Sequence, residues 1–300
     1  MNEYNKGMAS AQSVKDKINV LKTEFNSLKK GKEALLAVLD EAEIPENVYN
    51  SNAIENSTLT LKETEKILLN EKISREVSVR EVFEAKNLAQ VVSYKHNHPR
   101  EPLTKELILE LHRMLIGGID NSIAGRFRGS GEYVRVGSHV APAPEHVERM
   151  VEAILLEYES DHQAYFLDKI AKFHLEFETI HPFNDGNGRI GRVLLNYQLL
   201  ALGFPRVIIR DKEKGRYYDA FGAFKDKENA KPMEKIVSLA LMESLHKRIA
   251  HLGGEKIITL SEFAKARKLS PSALTNAAKR QSIPAFRERG VWKIGTGFEI

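Results

Sequence analysis

Within twelve residues, His181 to Arg192 (H-P-F-N-D-G-N-G-R-I-G-R), the chain places a base, a carboxylate, two glycines around an asparagine, and two arginines. Gly186-Asn187-Gly188 permits a tight turn whose backbone N–H groups can converge on an anion. A helix beginning there would add partial positive charge at its N-terminus, and Arg189 and Arg192, three apart, would share a face of it. Asp185 beside such a cradle suits Mg²⁺, which takes one or two carboxylates together with phosphate oxygens. His181 faces the same pocket as a candidate general base, with an unperturbed pKa of about 6.5. The combination suggests transfer of a phosphate-containing group from a nucleotide.

These residues need a scaffold, and its periodicities are helical. Val14, Ile18, Leu21, Phe25 and Leu28, resumed at Leu35 and Leu39, predict an amphipathic helix weakened near Gly31 and Lys32. Its apolar seam either packs on the body of the protein or forms a dimer contact. Val48 to Glu55 predicts a short helix, and Thr60 with Glu63 a capping box ahead of the next. Read alone, Glu55 is a solvated glutamate at a helix end. Further helices are expected from Val77 to Tyr94, from Thr104 to Gly117-Gly118, and from Glu145 to Tyr158. Glu132 to Val136 reads as a strand, Gly137-Ser138 as a turn and His139-Val140-Ala141 as its return; the edges of such a hairpin can pair with another chain.

Asp168 to Ile180 is the predicted helix that delivers the chain to His181, burying Ile170, Phe173, Phe177 and Ile180. His174 on that helix reads as a packing or hydrogen-bonding histidine, and His96 and His98, in a polar loop, do not make a metal site. After the motif, a central helix is expected over Val193 to Leu202, an extended stretch over Pro205 to Arg210, and a helix from Tyr217-Tyr218 towards Phe224. A long helix from Met233 to Leu252 ends at Gly253-Gly254.

Composition bounds the rest. The chain has 300 residues, 42% hydrophobic and 29% charged, as in ordinary soluble proteins. It has no cysteine, which excludes disulfides, thiolate metal sites and thiol nucleophiles and suits a reducing cytoplasm. No apolar run is long enough for a membrane span and no signal-peptide core is visible, so a cytoplasmic protein is expected. Asn56-Ser57-Thr58 is a glycosylation sequon without consequence in that setting. The net charge is +4, yet Glu255 to Ile300 carries nine Lys/Arg against four Glu, a net of +5, so the preceding residues sum to −1.

That basic segment reads as helix, turn, helix and hairpin. Ser261 is expected to cap a helix to Arg267, Ser270-Pro271 to start a second to Gln281, and Phe286 to Ile294 to turn at Gly290. This is a winged-helix pattern, which serves nucleic-acid or protein contacts.

His181 to Arg192 matches the Fic-domain signature H-x-F-x-[DE]-G-N-G-R-x-x-R at every fixed place, and Gly186 stands where a kinase-like branch has lysine. The resemblance covers roughly Val48 to Leu252; Gly125-Arg126-Phe127-Arg128 and the following hairpin look like the Fic flap, and Tyr217-Tyr218 like a nucleotide-contacting pair. It implies a mainly α fold: a Fic helical core with a small β-hairpin flap, plus the winged-helix-like domain. The expected divisions are an N-terminal helical region over 1–47, the core with its inhibitory helix over 48–252, and the C-terminal module over 255–300.

The resemblance further implies transfer of AMP from ATP to a hydroxyl of a target protein, or onto the enzyme itself. In that scheme His181 is the base and Asp185 holds Mg²⁺. Gly186, Asn187 and Gly188 form the anion nest, Arg189 and Arg192 bind the distal phosphates, and Phe183 is a core anchor. The flap at Val136, Gly137, Ser138 and His139 would align the target's main chain. Lys225 departs from an asparagine found in close relatives, which bears on ribose or adenine contacts. Finally, Ser51 to Asn56 (S-N-A-I-E-N) fits the family's inhibitory motif [ST]-x-x-x-E-[GN], which implies that Glu55 pairs with Arg192 and displaces the γ-phosphate. In some relatives that glutamate also supports AMP removal, so a bifunctional enzyme is one alternative and a DNA-binding regulator with a nucleotide-sensing core is another. A homodimer is compatible with either.

Overall fold

In the computed structural model, the described residues are 3–98, 101–137 and 139–299, with side chains described from residue 14 and not at 95–97. Ser138, one of the flap residues, lies outside them. In chain order the helices and strands are α1 (Glu3–Leu28), α2 (Glu33–Ala42), α3 (Ile44–Ile54), α4 (Leu61–Leu68), α5 (Val79–Asn97), α6 (Lys105–Ile116), β1 (Arg135–Val136) and β2 (His139–Val140). There follow α7 (Pro144–Ser160), α8 (Phe166–Ile180), α9 (Asn187–Ala201), α10 (Lys214–Lys227), α11 (Lys231–Leu252), β3 (Ile257–Thr259), α12 (Leu260–Arg267), α13 (Pro271–Lys279), β4 (Ala285–Glu288) and β5 (Val291–Gly295). Among the described residues no helix is long and apolar enough to cross a membrane.

By compactness the chain forms two units, 44–203 with 208–236, and 1–43 with 204–207 and 237–300. This groups most of α11 with the C-terminal module, whereas the sequence suggested a division after Leu252.

The first unit is a helical body. Its core joins Val48, Leu88, Leu111, Leu115, Val151, Phe177, Phe183, Ile190 and Leu194, contributed by α3, α5, α6, α7, α8 and α9 and by the loop before α9. The amphipathic periodicities explain this: each helix turns one stripe inward, and several stripes share one core. The capping box at Thr60 and Glu63 is present, which starts α4 where expected. The hairpin is short. Among the described residues Arg135 pairs with Val140 and Val136 with His139, antiparallel, and Ala141 N–H donates to the Val134 carbonyl (3.0 Å).

In the second unit, the expected weakening of the first amphipathic helix is a full break, with α1 and α2 separated by residues 29–32 and Gly31 left-handed (φ 73°). Arg248 of α11 is fully buried and answered by Asp40 (2.6 Å) and Glu43 (2.5 Å) of the α2 region. Burial opposes the charge on Glu43, but Arg248 and Lys247 hold its pKa down at about 2. In the C-terminal part the N-cap of α12 is Thr259, one turn closed by a capping box with Glu262; Ser261 lies inside the helix. The box needs Glu three residues after the cap, and only Thr259 has one. Ser270 caps α13 as expected, through its side chain to Ala273 N–H. The hairpin β4–β5 turns at Arg289-Gly290, and β3, which was not anticipated, adds to its other side to give the order β3-β5-β4. With only three residues, β3 has too little alternation to be read from sequence.

Candidate active site

The helix-loop-helix α8–α9 carries the motif, and α9 begins at Asn187, inside it, rather than at Val193. The reason is local. Gly186 is the N-cap in a left-handed conformation (φ 82°), and a Cβ there would press on Leu115 and Ile116. Asn187 is 2% exposed and staples the turn: its Oδ1 accepts from Phe183 N–H and its Nδ2 donates to Phe183 carbonyl, both at 2.8 Å. Phe183 is fully buried and stacks on His112 with ring centroids 3.6 Å apart.

His112 of α6 was not singled out from sequence. Gly125 N–H donates to its Nδ1 (3.1 Å), so Nε2 carries the proton and donates to the Asp185 carbonyl (3.0 Å). Burial keeps the ring neutral, with a pKa lowered to about 4. Arg128, in the segment that resembles the Fic flap, is 3% exposed and joins flap to motif. Its side chain donates to the carbonyls of His181 (2.7 Å), Glu132 (3.0 Å), Pro142 (2.8 Å) and Ile180 (3.2 Å). Four carbonyl acceptors are a reason for arginine, whose rigid fork has five donors.

His181 closes α8 in a left-handed conformation (φ 50°), a cost of about 1–3 kcal/mol for a non-glycine residue that the Arg128 contact helps to hold. Its Nδ1 faces the Glu178 carbonyl at 3.4 Å, which favours the proton on Nδ1 and leaves the Nε2 lone pair available. Burial lowers its pKa to about 4, so the ring is unprotonated at neutral pH. Asp185 is ion-paired to Arg80 and to Arg189 (3.0 Å), and Arg189 also meets Glu84 (3.2 Å). Burial opposes ionisation of Asp185, but Arg189 and Arg80 outweigh it and lower its pKa. Neither Arg80 nor Glu84 was picked out from sequence, because a helix surface pair on α5 carries no signal until the motif lies beside it.

Arg192 is 6% exposed at its side chain. It donates to Glu55 Oε1 (2.8 Å), to Ser51 Oγ (2.9 Å) and to Ser51 carbonyl (2.8 Å). The Glu55 carboxylate also lies over the first turn of α9, so close that a Cβ on Gly188 would collide with Oε1. Burial works against the charge on Arg192, but Tyr217 and Glu55 raise its pKa further than burial lowers it.

Tyr217 and Tyr218 part company. Tyr217 is 2% exposed and its hydroxyl meets His174 Nε2 (2.7 Å), which makes His174 a hydrogen-bonding core residue as expected. Tyr218 is half exposed and donates to the Ile54 carbonyl at the end of α3 (3.0 Å). Glu178, also unremarked in sequence, has a buried Oε1 without a hydrogen-bond partner, set against Gly191. Burial raises its pKa to about 8, so it is mostly protonated at neutral pH.

In the hairpin, His139 Nε2 donates to the Thr179 carbonyl (2.9 Å), which ties β2 to the end of α8. Val136, Val140 and Tyr133 are exposed. No group of three or more metal-ligating side chains occurs among the described residues. A nucleotide-bound Mg²⁺ does not need one, and the ionised Asp185 carboxylate, 34% exposed beside the anion cradle, fits that role once its arginine partners shift.

Residues 102–199 match the family model described as the Fic/DOC family. The chain therefore contains a Fic domain. It is 33% identical over 69% of its length to a protein adenylyltransferase Fic from Nematostella vectensis, of which it covers 49%. It is 28% identical over 82% of its length to one from Drosophila yakuba, covering 50% of that protein. The chain thus spans about half the length of these curated relatives. Among solved structures, a Fic domain containing signaling protein from Bacteroides thetaiotaomicron superposes with a TM-score of 0.72 at 24% identity, covering 80% of this chain and 98% of that one. That likeness establishes the mainly helical Fic fold.

Proposed function

We propose that this protein is an adenylyltransferase that moves AMP from ATP to a hydroxyl of a target protein and is held inactive by Glu55. The relatives named protein adenylyltransferase Fic support the reaction class. The observation that carries the reading is the Glu55–Arg192 pair at 2.8 Å, placed over the first turn of α9 beside Gly188. A helix N-terminus with two arginines is an anion site, and here a carboxylate of the same chain occupies it.

In the reaction, His181 Nε2 takes the proton from the target's Ser, Thr or Tyr hydroxyl as its oxygen attacks the α-phosphorus of ATP. The bond from that phosphorus to the bridging oxygen breaks, leaving a phosphodiester on the target and pyrophosphate as product. Gly186, Asn187 and Gly188 present backbone N–H groups to the phosphates, and Arg189 and Arg192 balance the charge of the leaving group. Asp185 would hold Mg²⁺, which supplies further charge neutralisation. Tyr218, the exposed member of the tyrosine pair, is the one free to contact the nucleotide; Tyr217 supports Arg192 and His174 from within. Residues around Val136, Gly137 and His139 receive the target's main chain by strand addition, a role supported by a short two-stranded hairpin, exposed at Val136 and Val140 and anchored through Arg128 and His139. With Glu55 on Arg192, two anions compete for one guanidinium, and ATP is left in an unproductive pose. The cysteine-free composition supports a cytoplasmic setting.

The test is incubation of the Glu55→Gly protein with isotope-labelled ATP and a cell lysate, read by mass spectrometry. An AMP-sized mass gain on a protein, absent with His181→Ala, is expected. Absence of any such adduct, with ATP bound, would overturn the assignment.

A further inference from the structure

Residues 263–287 contain six Lys/Arg and no Asp or Glu. They comprise the end of α12, a three-residue turn, all of α13 and the start of the hairpin. The turn begins at Lys268 in a left-handed conformation (φ 53°), and the two helices bury Leu260, Phe263, Ala264, Leu274 and Ala278 with Ala285 and Ile294 of the sheet. The opposite side of α13 is left exposed. Ser272, Ala273, Asn276, Lys279 and Arg280 lie there at helical spacing.

Two of the nearby acids are held by basic partners and a third closes a cap. Glu262 closes the Thr259 capping box, Glu243 holds Arg287 (2.6 Å), and Glu288 holds Lys293 and His251 (both 2.6 Å). Lys265, Lys268, Lys279 and Arg280, by contrast, are exposed and form no ion pair among the described residues. The outcome is a local excess of positive charge, four exposed cations without an ion pair among the described residues, around a helix whose outer face is short and polar.

From this we infer that α13 is a recognition helix for duplex DNA, entering the major groove with Ser272 and Asn276 towards base edges. Lys265, Lys268, Lys279 and Arg280 then lie against phosphates. Charge complementarity selects a polyanion. Asparagine can bond adenine through two groups at once, serine can bond any base edge, and a helix fits the groove. A protein partner is less well matched, because interface centres use aromatic and other large apolar anchors, and the outer face of α13 has only Ala273. The inference stands independently of the AMP-transfer reading.

The experiment uses the full chain and a fluorescent random-sequence duplex of about 25 base pairs, with anisotropy measured from about 50 to 200 mM salt. Four phosphate contacts predict a log–log salt slope of about −3.6, a loss of roughly 150-fold in affinity over that range. Lys279→Ala/Arg280→Ala should make the slope shallower by about 1.8 and weaken binding at low salt by at least about tenfold. Lys265→Ala/Lys268→Ala should act alike, so misfolding of one pair leaves the other as a readout. Ser272→Ala/Asn276→Ala should keep the slope but change the sequence enriched from a random duplex pool. The inference fails if no duplex binds at low salt, if both lysine and arginine pairs can be removed with the slope unchanged, or if no sequence is enriched. It also fails if single-stranded RNA or an acidic peptide displaces the duplex at equal charge.

Discussion

Replacing Glu55 with glycine tests the central reasoning most directly. The carboxylate meets a guanidinium that is 6% exposed, while Glu55 itself is 37% exposed. Unit charges about 4 Å apart at an effective dielectric of about 20 attract by about 4 kcal/mol, and water at the Glu55 side reduces this. Charge-assisted hydrogen bonds contribute about 1.5–3 kcal/mol by mutational measures. Taking about 2–3 kcal/mol as the advantage of the closed arrangement, its removal frees Arg192 for a phosphate and raises AMP transfer roughly 30- to 150-fold. Glu55→Gln keeps the size and loses the charge, so it should fall between parent and glycine variant. Ser51→Ala removes only the Nε–Oγ contact and should raise the rate by a few fold at most. The assay is initial-rate incorporation of labelled AMP at saturating ATP, with Glu55→Gly/His181→Ala as the silent control. Parent and Glu55→Gly proteins with equal rates, both shown to bind ATP, would refute the competition argument.

Other outcomes follow from the same geometry. If His181 is the base, the acid limb of kcat/KM in the Glu55→Gly background should lie well below the ordinary histidine value, near pH 4 to 5, because burial lowers its pKa to about 4; a limb at pH 6.5 would contradict the buried placement. Stability should also decline with acid. His112, His174, His181 and His246 are all held neutral by burial, with folded pKa values of about 4, 3, 4 and 4, so the unfolded chain takes up more protons. That stability is present above about pH 6.5 and is lost as pH falls towards 4, by up to about 1.4 kcal/mol per pH unit for each histidine, and chemical denaturation across pH 7 to 5 reads it. Glu178 should act in the opposite sense: its raised pKa of about 8 means that ionisation costs stability as pH rises from about 4.5 to 8, so Glu178→Gln should gain stability over the parent at pH 8 more than at pH 5. Gly186→Ala combines a left-handed backbone with pressure on Leu115 and Ile116, so a melting-temperature loss and weaker ATP binding are expected together.

Much of the site was legible because its chemistry is contiguous. His181, Asp185, the two glycines and the two arginines lie within one turn and one helix start, so residue type and spacing alone point to the proposed base beside an anion cradle. The helices were legible for a related reason: amphipathic stripes and capping boxes such as Thr60–Glu63 are written over a few neighbouring residues. The α12 cap was misplaced by two residues, and β3 went unseen, because its three residues become a strand only by pairing with β5, more than thirty residues later. Contacts across long sequence separation have no local signature. The Arg128 clasp on His181 and Ile180, the His112 bond that sets the Asp185 carbonyl, and the Arg80–Asp185 pair all belong to this class. Sequence also proposed Glu55 as the partner of Arg192 only through a motif resemblance, since alone it reads as a helix-end glutamate. Packing of α3 against α9 is what brings residues 137 positions apart to 2.8 Å and sets the carboxylate over Gly188. The sequence thus determined which groups can do the chemistry, because their types and local spacing set the reaction. Tertiary structure decided their charge states and the pairing of Glu55 with Arg192, because burial and long-range ion pairs arise only when distant segments share a core.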